Sequence, residues 1–419
     1  MYHAPTEEQT LAAYETYITD EQHDDIRETA SAFTDLRVAH INTTASGGGV
    51  AEMLHGVVPL ANDLDVDTDW LVMEAPEDFF DVTKAMHNGL QGDRSEFTEE
   101  MRETYRTITE RNAEALDEAY DVLVLHDPQT LGMIPTISER FPETALVWRC
   151  HIDLTDATSA YLEFAQSFME SVDNAVFTMP EYGERISGVD KTIIYPAIDP
   201  LTEKNCPLEA LTGEAADAAD VENYPFDADR PLMTQISRFD PWKDPQGVIE
   251  TYRTVCESVP DAQLALVGAM PEDDPEGIEV FRELEGLAED DDDLHLLTNL
   301  PDAGINLMQR HADVVLQKSF REGFALTVSE ALWKGTPVVG ADVGGIPLQI
   351  EDGENGYLVD PRDIDAAADR VTRLIEDDGL RGRLGDAGRE TVREEFLTPR
   401  LVHDFLTLLV TVSNVEQTG

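Results

Sequence analysis

Short apolar runs alternate with helical stretches along most of the chain, in two successive series. Such alternation is typical of an α/β protein in which helices cover a parallel sheet. The first series predicts strands at residues 36–41, 70–73, 122–125, 145–149, 175–178 and 192–195. The second predicts strands at residues 232–236, 263–267, 295–297, 314–317, 338–340 and 356–359, with helices at 245–258, 277–288, 303–311, 325–334 and 363–376.

Residues 197–231 separate the two series and are rich in Ala, Glu, Asp and Pro, which predicts a linker with one helix. We therefore expect two doubly wound, Rossmann-like domains that face a cleft, where such folds bind their ligands. The first 35 residues predict a helix that Thr6 caps, with Gln9 three residues later.

The charge of the chain excludes several partners. There are 86 acidic residues against 29 Lys and Arg, and the net charge of −57 is spread from end to end. Such a surface repels phosphate backbones and anionic lipids, so we expect no nucleic acid and no membrane as a partner. With only six lysines, the composition favours a cytoplasmic protein of a high-salt organism. An ordinary acidic protein is the alternative.

The cysteines and the apolar runs agree with a soluble, intracellular protein. Three scattered cysteines form no disulfide or zinc pattern, and no basic-then-apolar leader is visible. The longest apolar run, residues 405–412, is far too short to span a bilayer.

Glycines follow the first predicted strand, in the sequence Ser46, Gly47, Gly48, Gly49, and a helical pattern comes next. Glycines let backbone N–H groups approach a ligand closely, and a helix N-terminus attracts anions. The pattern is neither a dinucleotide fingerprint nor a P-loop. A tight strand-to-helix turn without a ligand explains the glycines equally well.

Two cations follow the strand predicted at residues 232–236. Arg238 and Lys243 are five residues apart, and at the end of a strand they can converge on a diphosphate. The alternative is a solvated loop with an Arg–Asp pair.

Two glutamates flank the start of a predicted helix. Glu322 lies before the helix of residues 325–334, and Glu330 lies one to two turns inside it. A phosphate at that helix N-terminus would place a sugar near one carboxylate and a ribose near the other. The alternative is one exposed glutamate and one structural glutamate.

The spacing of Glu322 and Glu330 resembles the Glu-x7-Glu motif of retaining glycosyltransferases of family GT4, which have the GT-B fold. Within that family, several stretches resemble the trehalose glycosyltransferring synthases, which join a nucleotide-activated glucose to free glucose. These stretches are residues 40–52, 79–88, 126–129, 148–153, 195–200 and 237–243. The same subgroup includes trehalose phosphorylases.

The resemblance implies a domain plan. It comprises an acceptor-side domain at residues 1–200, a nucleotide-sugar-binding domain at 201–395, and a C-terminal helix at 396–419 that packs back on the first domain. It also implies a donor site. Arg238 and Lys243 would hold the diphosphate, Glu330 the ribose and Glu322 the transferred glucose. The backbone groups implied to face donor sugar, phosphate or base are those of Gly47, Gly48, Gly49, Gly268, Phe324, Ala325 and Leu326.

On the other side of the reaction, the resemblance places His151 near the glucosyl group and Asp127 near the acceptor. His151 as a buried structural histidine and Asp127 as a turn cap are the alternatives. Lys84, His87 and Asn88 are implied to line the acceptor pocket.

We expect no metal and no prosthetic group, with nucleoside-diphosphate glucose bound as a substrate. Asp65, Asp67 and Asp69 resemble the Asp-x-Asp signature of metal-dependent transferases, but such triplets arise readily by chance in so acidic a chain. The resemblance also implies retention of anomeric configuration.

The function expected from the sequence is the formation of trehalose from a nucleoside-diphosphate glucose and free glucose, a hexosyltransferase reaction. The alternatives are a trehalose phosphorylase that uses glucose 1-phosphate, a GT4 enzyme with another acceptor, and a non-catalytic nucleotide-sugar sensor. The donor base, which can be that of UDP, ADP or GDP, and the formation of a homodimer stay open.

Overall fold

The structure is a computed structural model that describes residues 1–269 and 275–413. The chain divides into two compact units. The first unit comprises Met1–Ala197 together with the chain from Thr398 onward, and the second comprises Ile198–Leu397.

The first unit is built on a seven-stranded sheet. Its strands are β1 (Tyr2–His3), β2 (Arg37–Asn42), β3 (Asp67–Val72), β4 (Val122–His126), β5 (Ala145–Arg149), β6 (Asn174–Phe177) and β7 (Asp190–Ile193). Its helices are α1 (Asp20–Ala30), α2 (Gly49–Asp63), α3 (Glu77–Leu90), α4 (Glu99–Glu114), α5 (Asp127–Leu131), α6 (Ile134–Arg140) and α7 (Ser159–Gln166). The strand order is β1-β3-β2-β4-β5-β6-β7, parallel except for the edge pair of β1 with β3.

The second unit is built on a six-stranded sheet that is parallel throughout. Its strands are β8 (Leu232–Ile236), β9 (Gln263–Gly268), β10 (Leu294–Thr298), β11 (Val314–Gln317), β12 (Val338–Ala341) and β13 (Tyr357–Val359), in the order β10-β9-β8-β11-β12-β13. Its helices are α8 (Glu214–Ala218), α9 (Pro245–Cys256), α10 (Pro275–Ala288), α11 (Asp302–His311), α12 (Leu326–Trp333), α13 (Ile364–Glu376) and α14 (Asp378–Glu395).

The last helix, α15 (Thr398–Val412), belongs to the first unit, where it packs against α1 and α2. Its apolar face buries Leu401, Val402, Phe405 and Leu406. Within residues 1–269 and 275–413, no helix combines the length and the apolarity needed to cross a bilayer.

The order of the strands determines where each unit can bind a ligand. In the first sheet β2 lies between β3 and β4, and in the second sheet β8 lies between β9 and β11. The direction of winding changes at β2 and at β8, and open α/β sheets bind ligands beyond the strand ends at such a switch point. The loops after β2 and β4, and those after β8 and β11, carry most of the predicted site residues.

One prediction for the N-terminus is wrong. Leu11–Tyr14 forms a short 3-10 turn without a side-chain cap, and the helix α1 begins only at Asp20. Thr19, not Thr6, is the capping residue, and it exchanges hydrogen bonds with Gln22. Both threonines are followed by two acidic residues and then a glutamine, so the local capping signal is the same at the two positions, and the complete capping box forms only at Thr19.

Candidate active site

Lys243 and Glu322 meet directly in the second unit. Lys243 follows β8, Glu322 follows β11, and the Lys243 Nζ atom lies 2.5 Å from the Glu322 Oε2 atom. Gln317 Nε2 and Ser319 Oγ each donate to the same carboxylate oxygen at 3.2 Å. Two residues that the sequence separates by 79 positions therefore share one buried hydrogen-bond network, with side-chain exposures of 16% and 12%.

Arg238 occupies a different environment in the same loop. Its Nη2 atom lies 3.0 Å from Asp240 Oδ2, and 73% of its side chain is exposed. The Asp240 Oδ1 atom accepts from the backbone N–H of Trp242 and caps the turn of Pro241–Lys243. The structure thus contains the Arg–Asp pair considered from the sequence, and the exposed guanidinium stays accessible to an anion.

The helix α12 begins at a strained position. Ala325 is its N-cap and has φ of +69°, a left-handed conformation that a non-glycine residue rarely adopts. Gln349 fixes this entry: its Nε2 donates to the Phe324 carbonyl at 2.5 Å, and its Oε1 accepts from Ser329 Oγ. The side chain of Phe324 is buried, and the first N–H groups of α12, including that of Leu326, lack an acceptor within the helix.

Gly345, which the sequence reasoning missed, packs against this entry. A Cβ atom at Gly345 would lie 2.7 Å from both the Gly323 carbonyl oxygen and the Phe324 Cα. Gly344 has φ of +52°. The two glycines follow β12 as Gly47 to Gly49 follow β2, so the same reasoning about glycines after a strand could have found them.

Glu330 is 2% exposed and carries two partners. Its Oε1 lies 2.9 Å from Lys204 Nζ, and Gln309 Nε2 donates to its Oε2 at 3.3 Å. Burial alone would raise the pKa of Glu330, but Lys204 and Lys334 together hold it below its ordinary value. Burial lowers the pKa of Lys334 to about 7. Lys204 and Gln309 were not identified from the sequence, because their role depends on tertiary contact with α12.

Gly268 ends β9 beside Thr298, its partner in the register with β10. Its carbonyl accepts from the N–H of Asn299 at 2.9 Å. A Cβ atom at Gly268 would lie 2.4 Å from the Ser237 carbonyl oxygen, so the close packing of backbones at this strand end requires glycine.

The glycine loop of the first unit turns between β2 and α2. Gly47 and Gly48 have φ of +76° and +83°, Gly48 is the N-cap of α2, and Gly49 is its first residue. No atom lies within 4 Å of a Cβ built at Gly47 or Gly48. Glycine is therefore needed here for its conformation and not for close packing, and the space beside the loop is open.

Three histidines form a row across neighbouring strands of the first unit. His40 Nδ1 lies 3.0 Å from His126 Nε2, and His126 Nδ1 lies 3.0 Å from His151 Nε2. Burial lowers the pKa of His40 to about 4 and the pKa of His126 and His151 well below the ordinary value. The rings are therefore neutral at pH 7, and each hydrogen bond couples the tautomer of one ring to that of the next. His40 and His126 were not singled out from the sequence.

Asp127 begins α5 directly after β4, with φ of +62°. Its Oδ1 accepts from the backbone N–H of His151 at 2.8 Å, so it fixes the loop that carries this histidine. Burial raises the pKa of Asp127 to about 6. The structure thus brings Asp127 and His151 together at the ends of β4 and β5.

The three residues implied for the acceptor pocket lie on α3. Lys84, His87 and Asn88 follow the spacing of one helix face, with Lys84 and Asn88 exposed and His87 partly buried.

Asp67 and Asp69 both lie near Arg37, and Asp69 Oδ2 also accepts from the Tyr120 hydroxyl at 2.8 Å. Among the residues that the structure describes, no three His, Cys, Asp or Glu side chains are gathered as a metal ion would require.

Comparison with known proteins gives a consistent result. The model of the trehalose synthase N-terminal domain matches residues 40–184, and that of glycosyl transferases group 1 matches residues 217–391. The trehalose synthase of Thermococcus litoralis is 41% identical over 405 residues, which cover 95% of this chain and 96% of that protein. The trehalose synthase of Rubrobacter xylanophilus is 43% identical over 415 residues, 97% of each chain. The trehalose phosphorylase of Pleurotus pulmonarius is more distant, at 30% identity over 91% of this chain and 58% of that protein.

Solved structures share the fold. The sucrose-phosphate synthase of Thermosynechococcus elongatus matches with a TM-score of 0.67 at 21% identity, over 90% of this chain and 98% of that one. The trehalose-6-phosphate protein of E. coli bound with UDP-2-fluoro glucose matches with a TM-score of 0.72 at 13% identity, over 91% and 99%. The expected GT-B architecture of two Rossmann-like domains is confirmed.

Proposed function

The chain belongs to the trehalose synthase family of group 1 glycosyl transferases, and from this premise we propose that it is a retaining glucosyltransferase that forms trehalose from a nucleoside-diphosphate glucose and free glucose. One observation carries the proposal. Lys243, Glu322 and the N-terminus of α12 converge at the switch point of the second sheet, where a diphosphate and a sugar would need a cation, a hydroxyl acceptor and N–H donors.

The donor site follows from charge. As the anomeric C–O bond breaks, positive charge develops on the glucosyl group and negative charge on the leaving diphosphate. Lys243, Arg238 and the N-terminus of α12 would stabilise the diphosphate, and Glu322 would bind glucose hydroxyls. Glu330 would accept from the ribose, and the backbone at Gly268 would face the base.

The acceptor side belongs to the first unit. Asp127 would bind the hydroxyl of the attacking glucose, and His151, neutral at pH 7, would bind the glucosyl group. The loop of Gly47 to Gly49 would present N–H groups to the phosphates. Lys84, His87 and Asn88 would line the acceptor pocket.

Retention would follow from attack on the face from which the diphosphate departs. The acceptor oxygen forms the new bond to the anomeric carbon, the bond to the diphosphate breaks, and the acceptor proton passes to a diphosphate oxygen. A double displacement would instead need a nucleophilic carboxylate about 5 Å from its acid partner.

The nearest alternative is a trehalose phosphorylase, which would replace the nucleotide sugar by glucose 1-phosphate. The relatives favour the synthase, because the trehalose synthases match almost the whole of both chains at 41–43% identity. The phosphorylase match is 30% and covers 58% of that protein. A transferase with another acceptor and a non-catalytic nucleotide-sugar sensor are the two further alternatives.

The test supplies purified protein with glucose and UDP-, ADP- or GDP-glucose, and in parallel with glucose 1-phosphate. We expect trehalose and free nucleoside diphosphate from at least one nucleotide sugar. Glu322→Gln should reduce the rate about 100-fold or more, whereas the exposed control Lys191→Met should not change it. Turnover with glucose 1-phosphate alone would identify a phosphorylase, and tight binding without turnover would identify a sensor.

We also place this reaction in the cytoplasm of a high-salt organism, without a metal or prosthetic group. The even spread of 86 acidic residues supports this placement. Size measurement in solution would decide whether the protein forms a homodimer.

A further inference from the structure

Lys204 lies near the start of the second unit, and its side chain reaches the carboxylate of Glu330. The ion pair is 2.9 Å long, and the two side chains are 16% and 2% exposed. In so acidic a chain, with six lysines, this lysine is placed against a buried acid and not on the surface.

The surroundings fix this contact. Asn205, the next residue, accepts from Trp333 Nε1 through its carbonyl at 3.1 Å, and from Lys334 Nζ through its Oδ1 at 2.8 Å. Trp333 and Lys334 lie at the end of α12, the helix that carries Glu330. The segment bearing Lys204 is thereby attached to the same helix as its partner.

Lys204 bears most directly on the charge of Glu330. A buried carboxyl without a counter-ion takes up a proton, because burial disfavours the charged form. Lys334 Nζ is bonded to the backbone carbonyl of Glu330 and to Gln309 Oε1, and its own pKa is about 7. Lys334 therefore donates to groups beside the carboxylate, whereas Lys204 contacts the carboxylate itself.

When each oxygen of a carboxylate accepts one hydrogen bond, each still has a lone pair that can accept one more. Lys204 takes one position on Oε1, and Gln309 takes one on Oε2. Two neighbouring hydroxyls, each donating to one oxygen, complement that arrangement. A protonated carboxyl would instead present a hydrogen to one of them.

We propose that Lys204 is a specificity-determining residue for the donor nucleotide: it keeps Glu330 an acceptor-only group and thereby selects a ribose with both hydroxyls over a 2′-deoxyribose. The inference rests on the proposed function, since it takes the donor to be a nucleotide sugar.

The test compares dissociation constants by calorimetry at neutral pH. UDP, ADP and GDP identify the base that binds best, and its 2′-deoxy analogue is then measured. The wild type should bind the ribonucleotide with a dissociation constant about 10- to 100-fold lower than that of the 2′-deoxy analogue, because a hydrogen bond to a charged group contributes an affinity of that size. Lys204→Met should reduce that preference to about threefold or less, Lys204→Arg should retain most of it, and the exposed control Lys191→Met should leave it unchanged.

The outcomes separate two failures. If the wild type binds none of the three diphosphates, the proposed function fails and this inference fails with it. If the wild type binds and turns over, but Lys204→Met weakens both analogues equally, Lys204 is a general contact and the inference alone is wrong. Should the methionine variant not fold, Lys204→Gln provides the uncharged variant, and loss of the preference in Lys204→Arg would equally contradict the proposal.

Discussion

At the scale of single residues, several strained backbone positions lie at or beside residues of the proposed active site. Among the described residues, five that are not glycine have positive φ, and three of them are Asp127, Asp244 and Ala325. Asp127 follows β4, Asp244 caps α9 and Ala325 caps α12. Strained backbone costs on the order of 1–3 kcal/mol at each position, and it persists where the surrounding contacts determine it. Here those contacts are the ones that hold the candidate site.

Replacing Asp127 by asparagine should stabilise the protein at neutral pH while impairing it as an enzyme. The pKa of Asp127 is about 6 instead of 3.8, so its ionisation opposes folding above pH 6 and has no effect well below pH 4. In the Asp127→Asn variant, the side-chain amide oxygen can still accept from the N–H of His151. We expect a gain in the free energy of unfolding of about 3 kcal/mol at pH 7.5 that declines toward pH 4, measured by urea denaturation.

The activity of the same variant should fall about 100-fold or more if Asp127 binds the acceptor. If the gain in the free energy of unfolding did not depend on pH, Asp127 would not be a buried carboxyl with a raised pKa. If the rate of trehalose formation stayed unchanged, Asp127 would not be part of the acceptor site.

At the scale of elements, the strands were predictable and the contacts between loops were not. Residues 145–149, 232–236 and 314–317 were predicted as strands and coincide with β5, β8 and β11, because buried parallel strands have continuous apolar runs. The N-terminal helix was misplaced, since two capping patterns compete within the first 22 residues and only packing decides between them. Likewise, Lys243 and Glu322 stand in recognisable motifs, whereas Lys204, Gln349 and His126 act through residues far away in sequence.

The entry to α12 should depend on Gly345. A methyl group there would meet the backbone of Gly323 and Phe324 at 2.7 Å, so Gly345→Ala must displace the loop that leads to the helix. We expect at least a tenfold higher KM for the donor and a loss of about 1–3 kcal/mol in stability. The matched control is Gly382→Ala in α14, where a Cβ atom meets nothing within 4 Å and about 0.5–1 kcal/mol should be gained.

Enzyme kinetics with varied donor and thermal unfolding of both variants check this prediction. A Gly345→Ala variant with normal KM would show that the loop before α12 is not part of the donor site.

The histidine row should make the first unit sensitive to acid. The pKa of His40 is about 4 in the folded chain against 6.5 ordinarily, so the stability from its neutral form is complete above pH 6.5 and is lost as the pH falls toward 4. His40 alone contributes about 3 kcal/mol to that loss. His40→Asn, which keeps an acceptor or donor at the Nδ1 position, should flatten the profile of unfolding free energy over this range.

His3→Asn, at an exposed position on β1, is the control and should retain the steep profile. A His40→Asn profile as steep as that of the wild type would show that the row does not govern acid stability.

At the scale of the whole molecule, the lysines are divided between surface and site. Lys84 and Lys191 of the first unit are exposed. The other four lie in the second unit: Lys204 pairs with Glu330, Lys243 with Glu322, Lys318 with Asp244, and Lys334 bonds to Gln309 and Asn205. Each of these four lysines is thus largely buried and held by a polar partner, whereas the two lysines of the first unit lie on the surface.

Salt should therefore act differently on stability and on catalysis. Between about 0.1 M and about 2 M KCl, screening shortens from about 10 Å to a few ångströms, so repulsion among surface acids declines while the buried pairs change little. We expect the melting temperature to rise and the rate of trehalose formation to be retained or to increase. A rate that falls steadily with salt, without any gain in melting temperature, would contradict the high-salt origin.

The division of the lysines also has a practical consequence. The α-amino group of Met1 pairs with the exposed Glu74 at 2.9 Å, and the four lysines of the second unit are at most 16% exposed. An amine-reactive dye or a crosslinking resin at neutral pH should therefore attach at the α-amino group, at Lys84 and at Lys191, all on the first unit. The folded protein can be labelled or immobilised through that unit alone, which leaves the second unit chemically untouched and free to report on a bound nucleotide.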